Sequence, residues 1–153
     1  MQPSISRDRF IQINIVVKDI EKAAKAWSEI LGIPVPEIRL NHLESHEQFR
    51  YTYRGNETPC DLKVCNIDMG NFVLELHEPV GGDSSFQEYL DRHGNGVHHI
   101  GFEVGDQRDE VLDALKEMGF DTQRTVGYYP GSSWTIVDSE DELGVNLNIK
   151  PVR

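Results

Sequence analysis

The chain has 153 residues, with 26 acidic and 15 basic side chains, so its formal charge is −11 at pH 7. The length fits one compact domain, and the acidic surface argues against nucleic acid and weakens the case for polyanions such as coenzyme A. No stretch approaches the roughly 20 apolar residues of a membrane span, and residues 1–9 lack a secretion signal pattern. We therefore expect a cytoplasmic protein without membrane or nucleic acid partners, in which Cys60 and Cys65 are reduced thiols.

The first repeated element is a strand followed by a helix. Residues 9–17 alternate between isoleucines on one face and polar side chains, Gln12 and Asn14, on the other, which is the period of a half-buried strand. Asp19 is the expected N-cap of a helix over residues 20–31, and Gly32 ends it. This segment is therefore a strand and helix unit.

The same unit returns later in the chain. Residues 97–104 alternate, Asp106 or Asp109 is available as a cap, and an apolar stripe over residues 111–118 ends at Gly119. The interval from Gln12 to Gly32 equals the interval from His99 to Gly119, which indicates an internal duplication.

Further strands are predicted after each unit. They cover residues 49–54, 61–69 and 72–77 after the first unit, and 133–137 and 145–150 after the second. A short helix at 84–93 links the halves, and residues 37–47 are predicted to form a loop. The prediction is one domain made of a module at 9–79 and a module at 96–150.

Polar side chains occupy one face of four of these strands. The pairs are Gln12 and Asn14, Glu75 and His77, His99 and Glu103, and Asn146 and Asn148. If the strands share a curved sheet, these faces converge on its concave side and offer oxygen and nitrogen ligands for a divalent metal. The alternative for any single residue is the ordinary wet face of an antiparallel sheet.

Three groups of motifs resemble the vicinal-oxygen-chelate superfamily, which includes glyoxalases, bleomycin-resistance proteins and dioxygenases. They lie at residues 11–19 with Trp27 and Gly32, at 74–79 with 94–100, and at 137–145. The middle group is similar to methylmalonyl-CoA epimerases, and part of the ligand set to glyoxalase I. The resemblance implies an α+β fold in which paired βαβββ modules form a cupped, mostly antiparallel sheet.

The same resemblance implies a metal site and a set of roles. The positions that match the metal ligands of the family are Gln12, Glu75, His99 and Asn148, and the ion would be Zn, Ni, Co, Mn or Mg. Asn148 departs from the family, which has a carboxylate there that also moves a proton; an amide cannot be that base. Candidates for proton transfer are then His77 and Glu103, and those for substrate binding are Asn14, Tyr128, Trp134 and Asn146.

Two functions follow from this interpretation. The first is a metal-dependent lyase or isomerase that acts on a small carbonyl or hydroxy-carbonyl substrate by α-proton transfer. The alternative is a non-catalytic protein that binds a small molecule on the same scaffold. Family habit favours a homodimer, and the sequence leaves open whether the modules pair within one chain. His98 is expected to point away from the site, among Ile100 and Phe102.

Overall fold

A computed structural model describes residues 5–152, which form nine strands and four α-helices. The strands are β1 (Phe10–Val16), β2 (Arg39–Leu43), β3 (Arg50–Tyr53), β4 (Cys60–Asp68), β5 (Val73–Gly81), β6 (Gly96–Glu103), β7 (Asp121–Tyr129), β8 (Ser132–Asp138) and β9 (Asn146–Lys150). The helices are α1 (Ile20–Leu31), α2 (Ser85–His93), α3 (Arg108–Glu117) and α4 (Glu140–Leu143). None of these helices is long and apolar enough to cross a membrane.

All nine strands form one curved sheet in the order β2-β4-β5-β1-β6-β9-β8-β7-β3. The two halves of the chain meet where β1 pairs with β6 in antiparallel orientation. The pairs β1–β5 and β6–β9 are parallel, and the other neighbours are antiparallel. The predicted α+β class with a cupped, mostly antiparallel sheet is confirmed, and in this chain the two halves pair with each other.

The local signals place both ends of α1 and the C-terminal end of α3 correctly, with Gly119 at a φ of 96° just after α3, but not the start of α3. Helix α1 has the predicted limits: the Asp19 carboxylate accepts from Lys22 N at 3.1 Å, and Gly32 ends the helix at a φ of 65°. Helix α3 begins at Arg108, and neither Asp106 nor Asp109 caps it, because a 3-10 turn runs directly into the helix. The predicted cap of this helix is therefore wrong.

Apolar side chains pack beneath each of the two longer helices. Under α1, Ile20 and Ala24 contact Leu76 of β5, and under α3, Val111 and Leu115 contact Ile149 of β9. Cys60 and Cys65 are free buried thiols that belong to different clusters, so they do not pair. These layers cover the convex face of the sheet, and its concave face carries a third apolar cluster together with the polar groups of the central strands.

Two strands, β2 and β7, were not predicted. The pairing of β7 with β3 explains how the cup closes. Strand β2 replaces part of the predicted loop at residues 37–47, and β7 forms where no strand was expected. Strand β3 belongs to the first half of the chain but pairs with β7 at the far edge of the sheet. Its Tyr51 joins one apolar cluster with Leu62 of β4 and contacts Trp134 of β8, so both edges of the sheet close around the same core.

Candidate functional site

A cavity of about 150 Å³ opens in the concave face of the sheet. Its polar lining comes from central strands of both halves and from Asn41 of the edge strand β2, and its apolar lining comes from β2, β4, α2 and β8. The lining residues are Gln12, Asn41, Leu43, Leu62, Glu75, His77, Phe86, His99, Trp134, Ile136, Asn148 and Lys150.

Three of the four predicted metal ligands have their donor atoms close together. The His99 Nε2 atom lies 3.0 Å from the Gln12 Oε1 atom and 4.0 Å from a Glu75 carboxylate oxygen. The Gln12 Nε2 atom in turn donates to that Glu75 oxygen at 3.3 Å. The separations of His99 Nε2 from the Gln12 oxygen and from the Glu75 carboxylate suit ligands of one ion with metal bonds of about 2.0–2.2 Å. The residues present therefore fit a divalent metal with one carboxylate, one amide and one imidazole.

The Asn148 side chain also contacts one of the predicted metal ligands, but it presents its amide nitrogen to Gln12 and not its oxygen. Its Nδ2 group donates to Gln12 Oε1 at 3.1 Å, and its Oδ1 atom accepts from the backbone N–H of Thr135 at 3.2 Å. The oxygen that could bind a metal is therefore engaged by the neighbouring strand. Ligation through Asn148 would need the amide to turn over and leave that buried N–H without a partner.

The imidazole of His77 lies beside Glu75 and is oriented by Asn14. The Asn14 Nδ2 group contacts the Glu75 carboxylate at 2.9 Å and His77 Nδ1 at 2.6 Å. Because the carboxylate requires a donor there, the amide nitrogen is correctly placed, and His77 accepts at Nδ1 and carries its proton at Nε2. Burial lowers the pKa of His77, and the nearby Glu75 charge opposes this effect only in part. His77 is therefore neutral at pH 7.

A β-bulge changes the direction of His98. Asn14 pairs with His99 and the next residue, Ile15, pairs with Val97, so His98 is an extra residue in β6. Its ring stacks on Phe86 at 4.5 Å and its Nδ1 atom lies 2.8 Å from His99 Nδ1. His98 is buried and does not line the cavity, as expected, but it packs on Phe86 and Tyr89 instead of among Ile100 and Phe102, because the bulge breaks the alternation on which that placement was based.

The two adjacent imidazoles are buried and neutral. Burial lowers the pKa of both His98 and His99 well below the ordinary value, and neighbouring positive charges, including Lys150 in the case of His99, lower it further. Since Gln12 Oε1 also accepts from Asn148, His99 carries its proton at Nε2, and His98 donates from Nδ1 to His99. The His98 Nε2 atom has no partner among the residues that the structure describes.

Four of the predicted site residues do not line this cavity. Asn14 and Asn146 are fully buried, and the Asn146 oxygen accepts from Arg124 at 2.8 Å and from two backbone N–H groups. Glu103 is paired with Arg9 at 2.7 Å.

The Tyr128 ring is 56% exposed, and Arg108 lies over it at 5.7 Å in a separate hollow beside the turn after β7. Of the two aromatic residues predicted to bind substrate, Tyr128 and Trp134, Trp134 lines the cavity and Tyr128 does not.

Lys150 and Asn41 line the cavity and were not predicted. A signal for Lys150 exists, since it continues the alternation of Asn146 and Asn148 along β9. Asn41 lies in the segment that was expected to be a loop, where β2 forms instead. The apolar wall, which includes Phe86 and Ile136, depends on the packing of separate elements and has no local signal.

The fold and the concave site together define a protein of two paired modules around one small cavity with a polar lining. Residues 11–137 match the family model of the Glyoxalase/Bleomycin resistance protein/Dioxygenase superfamily, and the chain belongs to that superfamily. Its sequence relatives include the mitochondrial methylmalonyl-CoA epimerases of Homo sapiens, 31% identical, and Mus musculus, 27% identical, each over 110 residues. These matches cover 71% of this chain but 53% of the relatives, so the match spans about half of their length.

Solved structures of similar fold include two methylmalonyl-CoA epimerases. A variant of the methylmalonyl-CoA epimerase of Streptomyces coelicolor in complex with 2-nitronate-propionyl-CoA has a TM-score of 0.59 and 23% identity, and the match covers 96% of this chain and 97% of that one. The methylmalonyl-CoA epimerase of Mycobacterium tuberculosis has a TM-score of 0.55 and 16% identity, with 98% and 93% covered. At these identities the likeness shows the fold.

Proposed function

We propose that this protein is a metal-dependent isomerase or lyase that moves a proton α to a carbonyl group of a small substrate in the concave cavity. The observation that carries the proposal is that His99 Nε2 lies 3.0 Å from Gln12 Oε1 and 4.0 Å from a Glu75 carboxylate oxygen in that cavity. The sequence relatives named as methylmalonyl-CoA epimerases support an isomerase over a lyase.

Gln12, Glu75 and His99 are the residues that would hold the ion. A bound divalent cation would polarise the carbonyl oxygen and stabilise an enolate. To offer its Nε2 lone pair, His99 must carry its proton at Nδ1 and donate it to His98, the reverse of the metal-free arrangement. His98 is a suitable partner because a neutral imidazole can donate or accept at Nδ1.

His77 is the better of the two candidates for proton transfer. It lines the cavity, whereas Glu103 lies outside it in an ion pair with Arg9. Neutral His77 carries a proton at Nε2 and can donate it to the developing enolate, while its Nδ1 atom is held by Asn14. Glu75 is the one carboxylate in the cavity lining and is the group available to take up the α-proton.

The volume of the cavity limits what it can hold to a small molecule or to one small group of a larger substrate. A volume of about 150 Å³ equals that of about five water molecules. A coenzyme A moiety would therefore lie outside the cavity, with only its acyl part inside, and the charge of −11 disfavours its phosphates. We retain the homodimer and the cytoplasmic location as parts of the proposal.

Titration with metal and hydrogen exchange together test the proposal. Purified protein, stripped with a chelator, is titrated with Mn, Co, Ni and Zn by calorimetry, and a panel of small 2-substituted carbonyl compounds is followed by NMR for α-proton exchange in deuterated water. His99→Ala should abolish metal binding and exchange, whereas His46→Ala, outside the cavity lining, should change neither. Absence of metal binding in the unaltered protein contradicts the proposal.

A second function is favoured by one observation. The amide oxygen of Asn148 is bound to Thr135 N–H, and the Gln12 oxygen already accepts from two donors, so the site is satisfied without a metal. This arrangement suits a non-catalytic protein that binds a small polar molecule. Ligand binding without metal affinity and without α-proton exchange would support this function in place of the first.

A further inference from the structure

We propose that Lys150 binds a carboxylate group of the molecule that occupies the concave cavity. The inference rests on the proposed function only in taking this cavity as the substrate site. It concerns substrate selection and makes Lys150 a specificity-determining residue, in addition to the groups that hold the metal or move the proton.

The strand register brings Lys150 into the cavity without a partner of its own. Lys150 lies two residues after Asn148 on β9, so the two side chains share a face, and both line the cavity. Glu103 is directly beside it in the register of β6 and β9 and would be the natural counter-ion. The Glu103 carboxylate is instead held by Arg9 at 2.7 Å. Within residues 5–152, Lys150 forms no ion pair.

The other side chains of the cavity lining leave the Lys150 ammonium group without a counter-ion. Of the lining side chains, Glu75 alone is acidic, and its carboxylate already accepts from the amides of Gln12 and Asn14. Three N–H donors of a lysine require acceptors, and an ammonium in a narrow cavity gains most from an anionic one. Because the protein as a whole repels anions, an anion that binds here must be held by local contacts.

The size of the cavity narrows the ligand class. About five water volumes accommodate a carboxylate that carries a chain of two or three further carbon atoms. Phe86, Leu62 and Ile136 provide an apolar wall for such a chain. The inferred ligand is therefore a short carboxylate that also bears the carbonyl group required by the proposed function.

Binding of small acids and their neutral amides tests the role of Lys150 directly. Pyruvate and malonate, each beside its amide, are titrated into chelator-treated protein and followed by NMR shifts of backbone amides. Lys150→Met should weaken carboxylate binding about ten- to a hundredfold and leave amide binding unchanged. Lys150→Arg should keep most of the affinity. Lys25→Met, on the exposed face of α1, removes the same charge far from the cavity lining and should have no effect.

The outcomes separate this inference from the proposed function. Carboxylate binding that depends on Lys150, together with no α-proton exchange after the protein is loaded with metal, supports the inference and contradicts the enzyme. Equal affinities for acids and amides in the unaltered protein overturn the inference, as does carboxylate binding that Lys150→Met leaves intact. An equal loss in Lys25→Met would assign the effect to net charge and would also overturn it. Retained amide binding in Lys150→Met excludes misfolding as the cause of its loss of carboxylate binding.

Discussion

Replacement of the buried arginine Arg124 by methionine is expected to cost about 3 kcal/mol of folding stability. Its side chain is fully buried, and Nη1 donates to Asp138 at 3.1 Å, to Glu140 at 3.0 Å and to Asn146 at 2.8 Å, while Nη2 donates to Glu88 at 2.9 Å. Removal of one partner from a buried ion pair costs about 3–5 kcal/mol, because the remaining charge is left unpaired. Methionine fills a similar volume and adds little cavity cost.

The neighbouring cations place the expected value at the lower end of this range. Arg54 remains 2.6 Å from Glu88 and 3.5 Å from Asp138, so these carboxylates keep a counter-charge. Glu140, whose side chain is 7% exposed, keeps only longer contacts of 3.6 Å to Arg92 and His93. Glu140 is therefore the group whose desolvation is no longer compensated.

Urea unfolding at pH 7 measures the difference. The matched control is Arg50→Met, since Arg50 is 71% exposed in its pair with Glu57, and exposed pairs contribute about 0–1 kcal/mol. An unchanged slope with urea would show that the loss belongs to the native state. A loss of less than about 1 kcal/mol for Arg124→Met, or equal losses in both variants, would refute the assignment of this cluster as a buried network.

Two further predictions concern pH and packing. Burial holds the pKa of His98 and His99 well below that of the unfolded chain, so their contribution to stability is complete above about pH 6.5 and is lost as the pH falls. Between pH 7.5 and 5.5 the two should together reduce the unfolding free energy by about 3 kcal/mol, and urea midpoints that stay constant over this range would contradict the neutral assignment. Gly127→Ala should cost about 2 kcal/mol and weaken ligand binding in the cavity, because the added Cβ would lie 2.6 Å from Trp134 Nε1 and nearer still to two ring carbons. Urea unfolding and ligand titration of this variant provide the check, and unaltered binding would show that the Trp134 ring can move aside.

Elements that carry their own signals were predicted well from the sequence. Helix α1 has its cap at Asp19, its apolar stripe and its terminal Gly32 within one segment, and its limits agree with the prediction. Strand β2 lacks such signals, because it lies at an edge of the sheet and Leu40 is 66% exposed. In β7 the fully buried Arg124 contradicts the pattern of a strand, and its partners on α2, β8, α4 and β9 become visible only when the chain is folded.

The candidate site divides in the same way. Gln12, Glu75 and His99 were placed on one face by simple alternation, which holds as long as a strand has no irregularity. The bulge in β6 brings His98 into contact with His99. No residue type at that position predicts the bulge. Tyr128, predicted to bind substrate, does not line the cavity because a strand there, which was not predicted, directs it to another hollow.

Asn148 and Lys150 both make the net charge of the proposed site more positive. With His77 and His99 neutral, the lining carries one negative charge at Glu75 and one positive charge at Lys150. A bound divalent ion would give a net charge of about +2, whereas a second carboxylate in place of Asn148 and no lysine would give zero. Both differences therefore favour an anionic ligand. By reciprocity, such a ligand would raise the affinity for the metal as much as the metal raises the affinity for the ligand, so the weak metal site that Asn148 implies would be completed by the substrate itself.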